Sequence, residues 1–156
     1  MAIRAGRIVL EDVAGETEAK TASQDRINLD EHEASPGQQG GHTLAKHVGR
    51  TEAQLRQRLV DEPARDVVSS FATKESAEES ISEALQCFKS EIEAWAPTAK
   101  AGARFWRTYP AGKDVGYAIF RNTVKLENLQ CVRFGLQARQ EAGRLYYIVT
   151  AYPSEP

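Results

Sequence analysis

Cysteine is scarce in this chain of 156 residues, which has two, Cys87 and Cys131. They fall in no metal-ligand spacing and have no histidine close by in sequence, so zinc-ribbon and Cys-x-x-Cys redox chemistry are excluded. Each reads as a buried free thiol, Cys87 inside an amphipathic helix and Cys131 at the start of a strand, with a disulfide between them as the lesser alternative, and the fold should not depend on oxidation. No apolar run approaches the roughly 18 residues needed to span a membrane. Residues 1–7 carry no apolar segment after their basic residues, so no signal peptide is expected. There is no Gly-rich loop of the Walker or dinucleotide type and no His-Glu-x-x-His pattern, which removes the common nucleotide-binding and zinc-hydrolase readings. Neither a metal nor a cofactor is expected, and internal repeats are absent.

What is present fits one ordinary domain: 41% hydrophobic and 27% charged residues, with a net charge of −2. The charge is unevenly spread. Between Glu11 and Glu33 eight acids face only Lys20 and Arg26, whereas from Lys100 to Arg144 nine bases face Asp114, Glu127 and Glu141. A basic half suits a polyanion such as RNA, although on charge alone an ordinary solvated face is the simpler reading.

Residues 1–26 read as a linker or flexible arm, with one short strand at Ile8-Val9-Leu10, and residues 27–156 as the domain. Ile27 and Leu29 would pin the arm to the core. Residues 35–41 are a loop by composition. Val67-Val68-Ser69-Ser70-Phe71 is strand-like. Ala77, Ile81, Ala84, Leu85, Phe88, Ile92 and Trp95 then recur at steps of three and four, which predicts one long helix over 75–95, ended by Pro97. Strands follow at 104–109, 115–121, 131–138 and 144–152, with turns at 110–114 and 141–143 and a stop at Pro153. Short helices and one long helix, followed by hairpin-linked strands, imply an α+β domain with a mostly antiparallel sheet.

Two of the three histidines lie in Gly40-Gly41-His42-Thr43-Leu44-Ala45-Lys46-His47-Val48-Gly49. The paired glycines free the backbone to turn, Thr43 to Val48 can form a short helix, and Gly49 can end it in the left-handed conformation. Thr51 and Gln54 make a capping-box pattern for a second helix over 52–61, before Pro63. His47 in the last turn of the first helix meets unpaired carbonyls that favour its protonated form. An imidazole there can act as a general acid or base; its plain alternative is a hydrogen-bonded histidine at a helix end. His42 could start the helix or orient the loop, and His32, in the acidic arm, should be solvated. Lys46 and Arg58 are candidate phosphate binders, Arg58 the better because a guanidinium grips two oxygens in fixed geometry. On the last strand, alternation puts Thr150 and Tyr152 on one face, as phosphate-directed hydroxyls or simply as good strand formers.

The run from Gly40 to Gly49, followed in order by Arg58-Leu59, Ser69-Ser70-Phe71, Ala77-Glu78, Trp95 and Thr150-Ala151-Tyr152-Pro153, resembles the bacterial RNase A-like toxin domain. That family occurs at the C-termini of contact-dependent growth inhibition proteins and other polymorphic toxins, and the resemblance covers about 27 to 153. It implies an RNase A-like fold and a metal-independent endoribonuclease acting on RNA in bacterial competition, countered by a cognate immunity protein. The expected state is a monomer or a toxin–immunity heterodimer. Delivery would be as the C-terminal part of a larger exported protein, with action in the target-cell cytoplasm. The family's catalytic residues fall on His47, Arg58, Thr150 and Tyr152, with His42 and Lys46 as accessory candidates. Attack by the 2′-hydroxyl would leave a 2′,3′-cyclic phosphate. Unlike pancreatic ribonucleases, the chain has no histidine on its last strand and no disulfide framework. Two other readings stand beside this one: an EndoU-like ribonuclease toxin, and a non-catalytic immunity or adaptor module whose charged halves dock a protein. The sharpest structural expectation is that Thr150 and Tyr152 lie beside His47.

Overall fold

The computed structural model of the chain describes residues 26–33, 41–123, 125–141 and 144–156. The expected strand at Ile8-Val9-Leu10, most of the 35–41 loop and the centre of the 141–143 turn lie outside these residues.

Two short helices open the domain: α1 (Thr43–His47) and α2 (Glu52–Asp61). Gly49 ends the first with φ of 67°, the left-handed value that glycine adopts without a steric cost. The second begins with the capping box its sequence encodes: Gln54 N–H donates to Thr51 Oγ1 at 3.1 Å, and Thr51 N–H to Gln54 Oε1 at 2.8 Å.

Instead of one helix over 75–95 there are two, α3 (Lys74–Cys87) and α4 (Lys89–Trp95). The break falls at Phe88, whose φ of −102° and ψ of 18° leave the helical range. The apolar stripe continues through the break, so periodicity could not reveal it. Phe88 packs at 5.9 Å from Phe134, and the turn carries α4 round the sheet until Trp95 meets Phe105 at 5.3 Å.

The strands form two three-stranded antiparallel sheets. In one, β1 (Val67–Ser70) pairs with β3 (Gly116–Phe120), which pairs with β4 (Leu126–Leu129). In the other, β2 (Arg104–Pro110) and β6 (Arg144–Ser154) flank β5 (Cys131–Glu141). Strand β4 was not expected from the sequence pattern, because it is short and mostly exposed. Nor does Pro153 stop the last strand. It pairs with Val132, and β6 lies at the edge of its sheet, where the missing N–H disrupts no ladder.

Phe105, Val132, Phe134, Leu136, Ile148 and Ala151 meet Ala77, Ile81, Ala84 and Ile92 of α3 and α4 in the main core. A smaller cluster of Leu55, Leu59, Val68 and Ile119 fixes α2 to the first sheet. Leu29 is fully buried, and its N–H donates to Glu78 Oε2, so the arm is pinned as expected. His32 is not solvated either: its Nδ1 accepts the Ile148 N–H at 2.9 Å, because the chain before α1 lies along β6. Both cysteines are free, but Cys87 is exposed at the end of α3, and only Cys131 is buried. No described helix is long and apolar enough to cross a membrane.

Candidate active site

The placement of α1 depends on two sets of backbone bonds. At its start, Gly41 N–H donates to His32 O at 2.5 Å and His42 N–H to Val149 O at 2.9 Å. A Cβ on Gly41 would stand 2.0 Å from Ile148 O, so only glycine lets the chain approach β6 this closely. At its end, Phe71 N–H donates to His47 O at 2.7 Å, and Gly49 N–H to Phe71 O at 2.8 Å. One short helix thus bridges the last strand and the end of β1, with His47 between them.

These contacts build a cleft of about 480 Å³ lined by His42, His47, Arg58, Thr150 and Tyr152. The His47 and Tyr152 ring centroids are 5.2 Å apart, and those of His42 and His47 are 6.2 Å apart. The expected proximity is therefore present, although about a hundred residues separate the partners. Thr150 and Tyr152 share a face, opposite Gly135 and Arg133 of β5. Thr150 Oγ1 and Thr43 Oγ1 are buried and have no hydrogen-bond partner among the described residues. Buried hydroxyls rarely remain unpaired, and one in the wall of a cleft is a donor or acceptor available to a ligand. Lys46 belongs elsewhere: it is exposed and does not line the cleft. His42 occupies the N-cap position of α1, but its side chain makes no capping bond.

The electrostatics correct one expectation. A helix end should favour protonated His47, yet its pKa is lowered to about 3. Burial is the main cause and the Arg58 charge adds to it, while the Ser69 carbonyl, 3.3 Å from Nδ1, pulls the other way. Desolvation outweighs the carbonyls of a five-residue helix, whose effect is ordinarily worth below a unit. With Nδ1–H donating to Ser69, the lone pair resides on Nε2. His42 is also lowered, by burial first and then by the charges of Lys46, Arg58, Arg65 and Arg104. Both rings are thus neutral at neutral pH.

Arg58 is largely buried, and its Nε donates to Glu62 Oε2 at 2.9 Å. Arg65 Nε donates to the other oxygen at 2.6 Å. Hydrogen bonds from Arg65 and Arg58 lower the Glu62 pKa to about 2. Glu62 therefore clasps two arginines that line the cleft. Arg65, Arg104 and Trp106 line the cleft and had escaped the sequence reading. Alternation alone groups Arg104 with Trp106, but which strand borders the histidines is decided by long-range pairing. No group of three or more His, Cys, Asp or Glu among the described residues is placed to hold a metal ion.

Two antiparallel sheets with short helices ahead of them, and a cationic cleft holding two neutral histidines, define an α+β domain of the RNase A-like class. The family follows from comparison: residues 41–153 match the model of the bacterial CdiA-CT RNAse A domain, and the chain belongs to that family. Among solved structures it resembles a chain of the CdiA-CT/CdiI complex from Y. kristensenii 33638, with a TM-score of 0.65 and 25% identity over 73% of this chain and 99% of the other. No curated protein matches.

Proposed function

We propose that this domain is a metal-independent endoribonuclease toxin that cleaves RNA by attack of a 2′-hydroxyl on the adjacent phosphorus, leaving a 2′,3′-cyclic phosphate. The observation that carries the reading is the convergence of His47 with Tyr152 at 5.2 Å in the cleft that Arg58 and Thr150 also line. His47 Nε2, neutral at pH 7, takes the 2′-hydroxyl proton. Among the residues of this cleft only His42 and His47 have side chains that ordinarily titrate near neutrality, so His42 is the group assigned to protonate the departing 5′-oxygen. Arg58 and Arg65 face the phosphoryl oxygens, where charge grows in the transition state. Thr150 Oγ1 and the Tyr152 hydroxyl position the same phosphate. A bound phosphodiester brings a negative charge beside both rings and raises their proton affinity, which readies the acid once substrate has arrived.

The domain would be delivered as the C-terminal part of a larger exported protein, act in the cytoplasm of a competing bacterium, and be neutralised in its producer by a dedicated immunity protein. The structural relative was solved as a CdiA-CT/CdiI complex, which supports a protein partner of this kind. Expression in a bacterium should degrade total RNA and stop growth, and His47→Ala should abolish both. Equal RNA loss and growth arrest with His47→Ala would refute the assignment, and would favour a protein-binding module acting without this histidine.

A further inference from the structure

We propose that the outer face of the second sheet, centred on Trp106, is a binding subsite for an unpaired nucleobase of single-stranded RNA, with Arg104 and Arg133 holding the adjoining phosphates. The inference rests on the ribonuclease reading and adds to it a specific contact with the base.

The sheet has two unlike faces. Phe105, Val132, Phe134 and Ala151 point into the core, and their neighbours along each strand must point away from it. The strand register sets Trp106 opposite Gly135 and Gly135 opposite Thr150, so these three form one row across the outer face. The next row is Thr108, Arg133 and Tyr152. The indole is therefore aligned with the two hydroxyl residues of the cleft, and Trp106 and Arg104 line that cleft themselves.

Gly135 explains how the indole lies. A Cβ there would stand 2.7 to 2.8 Å from three atoms of the six-membered ring at once. Near-equal distances to three adjacent ring atoms place the glycine beneath the ring face rather than at its edge. Trp106 thus lies flat against Gly135 of the sheet, is half-buried and lines the cleft. A core tryptophan would instead be enclosed on both faces. A flat aromatic surface beside a cationic cleft is the arrangement on which bases of single strands stack.

The flanking arginines retain their charge for a phosphate. Arg104 Nε donates to Gln137 Oε1 at 3.0 Å, and Arg133 Nη1 to Thr108 Oγ1 at 3.2 Å, both neutral partners. Among the described residues neither pairs with a carboxylate, in contrast to Arg58, Arg65 and Arg107. The Arg133 guanidinium also lies 5.2 Å from the indole centroid, where it steadies the ring.

The test is equilibrium binding of a short 2′-O-methyl oligoribonucleotide, which the 2′-attack cannot cleave, measured by fluorescence anisotropy on the full chain. A second set of oligonucleotides carries one abasic position in turn. Trp106→Ala should weaken binding of the intact oligonucleotide about ten-fold, and Trp106→Phe much less. One abasic position should weaken binding to the wild type by a similar factor and cause no further loss with Trp106→Ala. Arg104→Ala, at an exposed position, should reduce the slope of log affinity against log salt by about one. Unchanged affinity in both Trp106 variants, or an abasic penalty equal in wild type and Trp106→Ala, overturns the proposal. If Trp106→Ala does not fold, an unchanged salt slope in Arg104→Ala together with no abasic penalty at any position in the wild type overturns it. Failure of the ribonuclease reading would be seen separately, as an all-ribose oligonucleotide left intact by the native protein.

Discussion

Replacing His47 with glutamine should change how stability depends on pH, because the folded protein holds this imidazole neutral. Its pKa falls from 6.5 to about 3 on folding, so between these values the unfolded chain binds a proton that the native state refuses. Stability is then complete above pH 6.5 and declines as pH falls toward 3, at ~1.4 kcal/mol per unit. Going from pH 7.5 to 4.5 traverses two units of that window, which amounts to about 3 kcal/mol from this one group. Glutamine is neutral throughout and can still donate to the Ser69 carbonyl. Urea unfolding of wild type and His47→Gln at the two pH values separates the His47 contribution from that of the carboxylates common to both. The wild type should lose about 3 kcal/mol more than the variant on acidification. An equal loss in both, or a His47 ring that titrates at or above 6.5 by NMR, would refute the claim that burial governs it.

Thr150→Val removes a buried hydroxyl that has no partner among the described residues, so stability should stay constant or rise by up to ~1 kcal/mol in urea unfolding, while RNA cleavage falls. A clear loss of stability would mean that the hydroxyl is a structural bond. Gly41→Ala drives a methyl group into the Ile148 carbonyl and should detach α1 from β6, costing ~3 kcal/mol or more and lowering activity through displacement of His47. Hydrogen exchange confined to α1 would distinguish detachment from global destabilisation. Glu62→Gln releases the charged clasp on Arg58 and Arg65, and with substrate bound it should alter kcat more than KM, because the arginines lose orientation rather than charge.

The sequence showed local structure best where a short pattern decides it. Thr51 with Gln54 located α2, Gly49 ended α1, and the alternation after Arg104 marked the strands of an antiparallel sheet. It misled where a remote contact decides. Nothing local distinguishes Phe88 from any other apolar position on a helix, yet the helix breaks there, where its ring packs on Phe134. A histidine at a helix end reads as protonated until the burial of its ring is known. His32 looked solvated because its partner, the Ile148 N–H, lies 116 positions away. The same limit applies to the candidate site. Resemblance identified His47, Arg58, Thr150 and Tyr152, but Arg65, Arg104 and Trp106 join them only through the pairing of distant strands. Lys46, close to His47 in sequence, turns away on the outer side of a five-residue helix.

The central claim concerns the chemistry at the scissile phosphate, and the ends of the product strands report on it directly. Purified protein incubated with a defined RNA in EDTA should yield fragments bearing 2′,3′-cyclic phosphates and free 5′-hydroxyls, with no cleavage by His47→Ala under the same conditions. Cleavage that requires added magnesium, or fragments that carry 5′-phosphates, would contradict the account.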